Sequence, residues 1–268
     1  MTGIVPRHSI LTGVDGSPEA LHAARWAARE AARRHVPLRL CHVRGPGPGD
    51  AERGNGWLRA AEWAARDLAP GIELHRLCVA GDVPAILLRE SGTAGLTVLG
   101  AGPVAVAVAA RATGPVVVVR GRKPGEPPPD GGPVVAGVGA GKALAAVVEF
   151  AVGEALLRDV PLVAVHAWAD PAVGESWSVP PFDVDYDGAA ADAGAALAAR
   201  MSGWHEKYPD AEIRHRVPCA TPAHGLLTEA AGAQLVVVGA GTASGLGDTV
   251  RALLHHGSAP VAVVRAGG

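Results

Sequence analysis

The stretch GVDGSPEALHAARWAAREAARRHVPLRLCHV, residues 13–43, recurs without a gap as GVGAGKALAAVVEFAVGEALLRDVPLVAVHA at residues 137–167. The offset of 124 residues places the triplet Val36-Pro37-Leu38 on Val160-Pro161-Leu162. Fixed-period self-similarity of this kind indicates that one structural unit has been duplicated. Other residues at equivalent positions are Trp26 with Phe150, Glu30 with Glu154, Arg34 with Arg158, and His42 with His166.

The repeat continues to the end of each copy, with two insertions in the second. Gly100-Ala101-Gly102 matches Gly239-Ala240-Gly241 at an offset of 139, which implies fifteen inserted residues. The final apolar run, residues 115–120, matches residues 260–265 at an offset of 145, which implies six more. The sequence therefore predicts two domains, residues 1–121 and 133–268. The Pro/Gly-rich segment 122–132 is the predicted linker.

Each copy alternates short apolar runs with longer amphipathic stretches, a pattern typical of βαβ units around a parallel sheet buried on both faces. We predict an α/β fold of two tandem Rossmann-like domains, each a five-stranded parallel sheet flanked by helices. In the first copy Ser17 is a predicted helix cap and Pro18 the first helical residue. The predicted strands lie near residues 9–14, 38–43, 72–79, 96–100 and 115–120 in the first copy, and 134–138, 162–166, 212–217, 235–239 and 261–265 in the second.

Bulk composition narrows the classes of partner. A net charge of −2 over 268 residues, with the charges scattered, provides no basic stripe for nucleic acid. The sequence shows neither a signal-peptide pattern nor a run of 18 apolar residues. Neither export nor a membrane-spanning helix is therefore predicted, and a cytoplasmic protein is expected. The eleven histidines form no convincing ligand cluster, so no metal site is predicted. Cys41, Cys78 and Cys219 are predicted to be buried free thiols.

The stretch GVGAGKA, residues 137–143, resembles the end of a phosphate-binding loop but fails its pattern at two positions. Ala136 stands where the first glycine is needed, and Ala143 follows Lys142 where a Ser or Thr would reach Mg²⁺. The repeat explains the stretch instead, because it occupies the place of GVDGSPE in the first copy. In that alignment Asp15 is replaced by Gly139.

The fifteen-residue insertion contributes to a stretch at residues 168–188, WADPAVGESWSVPPFDVDYDG, that is predicted to be a surface loop. Its aromatic residues favour packing on its own domain over a binding flap. Asp183, Asp185 and Asp187 alternate as they would on a strand or in a cation-binding loop, and a solvated acidic loop is the simpler interpretation.

In an open parallel sheet the ligand crevice lies beyond the carboxyl ends of the strands, where the strand order reverses. The first predicted strand ends at Asp15 and the fourth at Gly100. A carboxylate at the first position can accept hydrogen bonds from a ribose or adenine edge. A Gly-rich loop at the second can offer N–H groups to phosphates.

These motifs, together with VPLRLCHV at residues 36–43 and GDTVRALLHHGSAPVAVVR at residues 247–265, resemble the universal stress protein family in tandem form. The resemblance implies pairing of the two domains through their final strands and, in many members, ATP binding. ATP-binding members carry a loop of Gly, two residues, Gly, nine residues, Gly and then Ser or Thr; neither copy has it. The candidate nucleotide-binding residues are Asp15, Gly139, Gly239, Gly241, Gly245, Gly247 and Asp248.

Three functions remain open at this level. The first is a non-catalytic stress-response or regulatory protein with degenerate ATP-binding motifs and no certain cofactor. The second is an adenine-nucleotide switch that binds ATP in the second domain, where the Gly-rich loop persists. The third is an enzyme acting on a nucleotide or another small molecule. A homodimer and an unknown regulatory protein partner are expected in addition to the intramolecular pairing.

Overall fold

The computed structural model describes residues 9–45, 47, 49–121, 126–168, 186–242 and 245–266. Ten strands form one continuous sheet, and a two-stranded hairpin lies beside it. We call residues 9–121 the first half and residues 133–266 the second half. The sheet strands are β1 (Ser9–Gly13), β2 (Leu38–Arg44), β3 (Leu74–Ala80), β4 (Ala94–Gly100), β5 (Val116–Val119), β6 (Val134–Gly137), β7 (Leu162–Val165), β8 (Ile213–Arg216), β9 (Leu235–Gly239) and β12 (Val261–Val264).

The order across the sheet is β3-β2-β1-β4-β5-β12-β9-β6-β7-β8. Each half is thus a parallel, doubly wound sheet, and the two halves have mirrored order along the continuous sheet. The final strands β5 and β12 pair antiparallel, with Val117 opposite Ala262. The predicted fold class and the pairing through the last strands are therefore confirmed, and the open edges that PVVVVR and PVAVVR would present are covered.

Eight helices of the described chain cover both faces of the sheet. Buried residues of α1, α2, α5 and α6 pack on one face, and those of α3, α4, α7 and α8 pack on the other. The structure therefore has three layers, with the apolar strands fully enclosed. The helices are α1 (Pro18–Arg34), α2 (Asp50–Leu68), α3 (Val83–Ser91), α4 (Pro103–Ala109), α5 (Leu144–Arg158), α6 (Tyr186–Lys207), α7 (Pro222–Glu229) and α8 (Asp248–His256).

Local capping chemistry fixes where several helices begin. Ser17 caps α1, its hydroxyl accepting a hydrogen bond from the Ala20 N–H at 3.1 Å, and Pro18 is the first helical residue, as predicted. Asp82 and Thr221 occupy equivalent positions, 139 residues apart, and cap α3 and α7 in the same way. The two copies thus share their helix start signals even where the residue type differs.

Two sequence-based expectations need correction, and one of the two insertions has a defined structure. Residues 186–188 were predicted to end a surface loop but begin α6, and Asp187 lies in its first turn; residues 169–185, with Asp183 and Asp185, lie outside the described residues. The six residues inserted after Gly241 form part of a short hairpin, β10 (Gly241–Thr242) with β11 (Gly245–Leu246). Cys41 is buried, whereas Cys78, in the outer strand β3, and Cys219 are exposed.

A cluster of four charged side chains crosses the boundary between the halves. We call Glu30, Arg34, Glu154 and Arg158 the interface quartet. Arg158 donates to Glu30 at 2.7 Å and also to Glu154, while Arg34 donates to both glutamates in turn. Glu30 and Glu154 are equivalent residues of the repeat, as are Arg34 and Arg158. The cluster is therefore two-fold pseudosymmetric, and each carboxylate is bonded to an arginine of its own half and one of the other.

The opposite face of the sheet carries a second reciprocal contact. Arg120 donates to the carbonyl groups of Leu254 and His255, at the end of α8. Arg265 donates to the carbonyl of Ala110, just after α4. The two arginines are equivalent in the repeat, so each half caps a helix of the other.

In the part of the chain that the structure describes, none of the helices has the length and apolar character needed to span a membrane.

Candidate functional site at the strand-order reversal of the second half

A cavity of about 650 Å³ lies in the second half. It is positioned where β6 and β9 neighbour each other and the chain leaves them in opposite directions, which is the place where open α/β sheets bind ligands. Its volume lies within the range of about 300–1,000 Å³ usual for small-molecule sites. We call it the second-half cavity.

The walls of the cavity are predominantly apolar. Val138 directly follows strand β6, and Val165 is the last residue of β7. Val238 belongs to β9, and Leu226 of α7 also lines the cavity. The polar lining residues are Lys142, His166, Asp248, Thr249 and Arg265; all others are Gly, Ala, Val, Leu or Pro. Such a lining suits a ligand with a ring system, which would be held by dispersion contacts with the walls and by a few polar contacts at the edge of the ring.

At the corresponding place in the first half, the chain packs tightly on itself. A Cβ added at Gly100, at the end of β4, would lie 2.5 Å from the carbonyl carbon of Glu19. The first turn of α1 therefore rests directly on the strand end. A Cβ added at Gly16 would lie 2.4 Å from the indole of Trp57, which packs edge-on against His42. Helix α1 and Trp57 thus pack directly on Gly100 and Gly16.

The starting point of one helix accounts for much of this difference. Helix α1 begins at Pro18, and the equivalent residue at the offset of 124 is Lys142, yet α5 begins two residues later, at Leu144. A Cβ added at Gly239 would have its nearest neighbour, the methyl group of Ala143, at 3.1 Å. The sequence GAGKA before α5 lacks the Ser-Pro pair at which α1 begins in the first copy. Helix α5 therefore begins two residues later in the repeat than α1 does.

His166 lines the cavity in a fixed tautomer. Its Nδ1 lies 2.9 Å from the Val138 carbonyl oxygen, which can only accept, so Nδ1 carries the proton. Its Nε2 lies 3.1 Å from Nη1 of Arg200 in α6, and it accepts that hydrogen bond. The same strand-end contact occurs in the first half, where Nδ1 of His42 lies 2.7 Å from the Val14 carbonyl. The imidazole is thus a structural brace with both nitrogens engaged.

The Gly-rich segment above the cavity is folded on itself. Gly241 pairs with Leu246, and Thr242 pairs with Gly245, in the hairpin. The Gly247 N–H donates to the Ala240 carbonyl at 2.9 Å. Helix α8 starts immediately afterwards at Asp248, with Gly247 as its cap residue. Asp248 is the first helical residue, where its charge interacts favourably with the helix dipole.

The sequence-predicted site residues are divided between the halves. Gly139, Gly239, Gly241, Gly247 and Asp248 all line the second-half cavity, whereas Gly245 is not among its lining residues. Asp15 lies in the first half, where its carboxylate accepts hydrogen bonds from the Ser17 N–H at 2.9 Å and from the Ser17 hydroxyl at 2.6 Å. Asp15 is not among the residues that line the second-half cavity.

The sequence interpretation missed His166 and the apolar walls. These residues could have been predicted from the repeat, because the residues that follow the ends of parallel strands must lie together at one edge of the sheet. Among the described residues, no group of three or more His, Cys, Asp and Glu side chains could hold a metal ion.

Comparison with known proteins agrees with this architecture. The sequence profile of the Universal stress protein family matches residues 6–82 and 132–265. A universal stress protein of Mycobacterium tuberculosis H37Rv is 32% identical, with 97% of each chain covered. One from Mycolicibacterium smegmatis is 34% identical, with 96% of this chain and 97% of the relative covered. The fold also matches the crystal structure of a universal stress protein from Archaeoglobus fulgidus DSM 4304, with a TM-score of 0.69, 14% identity and 97% of each chain covered.

The chain therefore belongs to the universal stress protein family and holds two such units in tandem. The profile match omits residues 83–131.

The residues present do not fit a triphosphate. Gly139 leaves the cavity without the carboxylate that Asp15 provides in the first half. The loop N–H group of Gly247 is already used by Ala240, and the hairpin pairs Gly241 and Thr242 with their own neighbours. Asp248 places a negative charge at the helix start that would otherwise attract phosphate.

Proposed function

We propose that the chain is a non-catalytic regulatory protein of the stress-response type, with degenerate ATP-binding motifs. In this proposal the second half holds one small ligand and the first half is a scaffold. The observation that carries it is the contrast between the open second-half cavity and the tight packing of α1 and Trp57 on Gly100 and Gly16 in the first half. Residues 1–121 and 133–268 are the two proposed units, joined by the linker 122–132.

The chemistry of the cavity supports a binding role over a catalytic one. Both nitrogens of His166 are occupied, so the imidazole is not poised to transfer a proton to a ligand. A bound ligand would bridge the strand ends of β6 and β9 and the start of α8. Occupancy would thus bias the position of α8, whose last turn is held by Arg120 of the other half. A signal to a protein partner would follow from that shift in population.

An adenine-nucleotide switch is the second candidate function. It is favoured by the position of the cavity beside the first turn of α8, where backbone N–H groups can face an anion. It is disfavoured by the poor fit for a triphosphate described above.

The cytoplasm is the proposed site of action. The three cysteines are free thiols, one buried and two exposed, which agrees with a reducing compartment.

A thermal-shift screen of the full chain tests the proposal, with ATP, ADP, AMP, cyclic nucleotides, nucleosides and a general metabolite set as probes. A ligand at 100 times its dissociation constant stabilises the folded state by about 2.7 kcal/mol. Gly139→Trp, at a cavity-lining position with open space around its Cβ, should abolish the shift. Asp15→Ala, in the first half, should leave it unchanged. If the shift survived Gly139→Trp and disappeared in Asp15→Ala, the ligand would bind in the first half and the proposal would be wrong.

A further inference from the structure

We propose that the exposed face of α2 binds the same face of a second copy of this chain, antiparallel and about a two-fold axis at Trp63. The residues that carry the inference are Arg59, Trp63 and Asp67, which we call the α2 ridge. They lie four residues apart and therefore share one face of the helix. The surface is separate from the second-half cavity, and the inference does not depend on any ligand.

Trp63 is the most exposed large apolar side chain of the described residues. It is 68% exposed, whereas the others of this kind are 36–41% exposed. Helices α2 and α6 end at Leu68 and Lys207, 139 residues apart, so the position equivalent to Trp63 is Ser202. The shared fold thus accepts a polar residue at this place. Exposed tryptophan is the residue type most enriched at the centres of protein interfaces, because its burial contributes a large apolar area.

The two charged residues of the α2 ridge are exposed and have opposite signs. Within the described part of the chain, neither Arg59 nor Asp67 forms an ion pair, whereas the neighbouring Arg66 is bonded to Glu62 at 3.1 Å. Asp67 also lies in the last turn of α2, where the helix dipole disfavours a carboxylate. A cation supplied by another chain would offset that cost.

The spacing of the α2 ridge makes it complementary to itself. In the commonest class of helix packing, a row of residues four apart on one helix lies beside such a row on the other. A two-fold axis at Trp63 runs the two rows in opposite directions. Arg59 of each copy then faces Asp67 of the other, and the two indoles meet at the axis in an offset stack. An interface between identical copies requires this self-complementarity.

The surface beside the α2 ridge leaves room for the second copy. The next row along the helix includes Gly56 and Ala60, and a Cβ added at Gly56 would meet no atom within 4 Å. The groove between the two rows can therefore accept the ridge of the other helix. Helix α2 packs on α1, β2 and the outer strand β3, so it lies at the edge of its layer. Because a single helix pair buries less than about 1,200 Å², we expect a weak, reversible dimer.

Sedimentation equilibrium of the full chain over a series of protein concentrations tests the inference. We expect a monomer and dimer in exchange for the wild type. Trp63→Ser, which introduces the residue found at the equivalent position of the second half, should weaken dimerisation at least about tenfold. Leu156→Ser is the matched control, because Leu156 is an exposed apolar residue of α5, and it should leave the dissociation constant unchanged. Since both side chains are exposed, thermal unfolding of each diluted variant should match that of the wild type.

A charge-reversal cycle tests the antiparallel arrangement itself. Arg59→Asp and Asp67→Arg should each weaken dimerisation about tenfold, because each places two pairs of like charges across the axis. The double variant restores opposite charges and should dimerise within about threefold of the wild type. A wild-type chain that stays monomeric up to about 1 mM would overturn the inference. So would a dimer that Trp63→Ser does not weaken, or a double variant that dimerises no better than the single ones.

Discussion

Gly100 and Gly239 occupy the same position in the two copies of the repeat, yet one lies beneath a helix and the other borders an open cavity. In the first half the backbone of Glu19 and Ala20 covers the strand end. In the second half the helix starts two residues later and leaves room for a ligand. A duplicated fold can therefore keep its core and strand order while one copy loses its ligand crevice, because the crevice depends on a few residues at the strand ends.

The halves remain alike where they meet. The interface quartet draws one glutamate and one arginine from each copy at equivalent positions, and the final strands pair through equivalent residues. Burial lowers the pKa of Arg34, but the charges of Glu154 and Glu30 outweigh it and leave that pKa above its usual value. The arrangement of the four side chains links the two halves across their boundary.

The largest expected effect comes from breaking this shared feature. Arg158→Met should lower the free energy of unfolding by about 3–5 kcal/mol, because it leaves two buried carboxylates short of a partner. The Arg158 side chain is 2% exposed, and Glu30 is fully buried. Arg33→Met is the matched control, since Arg33 is 36% exposed and bonds Glu30 alone, and about 1 kcal/mol or less is expected. Urea denaturation measures both; equal losses would contradict the role assigned to the quartet.

A smaller effect should separate the two crevices. Gly100→Ala should lower the free energy of unfolding by about 1–3 kcal/mol, because its methyl group would meet the backbone of α1, which has no room to move. Gly239→Ala meets the side chain of Ala143 at 3.1 Å and should cost about 1 kcal/mol or less. Thermal unfolding of the two variants against wild type checks the difference. If the two losses were the same, the crevices would not differ in the way described here.

The smallest expected effect concerns the outer edge of the second half. His215 of β8 lies against His205 of α6, with ring centroids 5.5 Å apart. Burial, and then the charge of His205, lower the pKa of His215 below its ordinary value of 6.5. The unfolded chain therefore binds the proton more readily, and stability should fall as the pH drops below 6.5. In the first half Arg76 occupies the equivalent position and forms an ion pair with Glu62 at 3.3 Å, while the neighbouring His75 contacts Glu73 at 2.9 Å.

Replacing His215 by Gln should make the free energy of unfolding less sensitive to acid. Urea denaturation of wild type and variant at pH 7.5 and pH 5.5 gives the change, taken as the difference between the two chains. His75→Gln, on the exposed edge of the first half, is the control and should leave the acid response as it is in wild type. An unaltered response in His215→Gln would show that this contact does not sense pH.

The sequence by itself determined the repeat, the strands and the class of fold. Periodic apolar runs specify buried parallel strands, and equivalent residues at a constant offset specify two copies. It also indicated that the first half keeps Asp15 without the Gly-rich loop, whereas the second half keeps a shortened loop and has Gly139 in place of the carboxylate. These features could be predicted because they depend on residues close together in the chain.

Only the tertiary structure decided which crevice stays open and how the halves are held together. Trp57 fills the first crevice from a helix some forty residues after Gly16, and α1 rests on a strand end more than eighty residues away. The quartet joins residues more than a hundred positions apart, and the hairpin that closes the Gly-rich loop is stabilised by contacts with α8. Contacts between distant segments depend on how helices settle on the sheet. A difference of two residues in a helix start then decides whether a cavity forms.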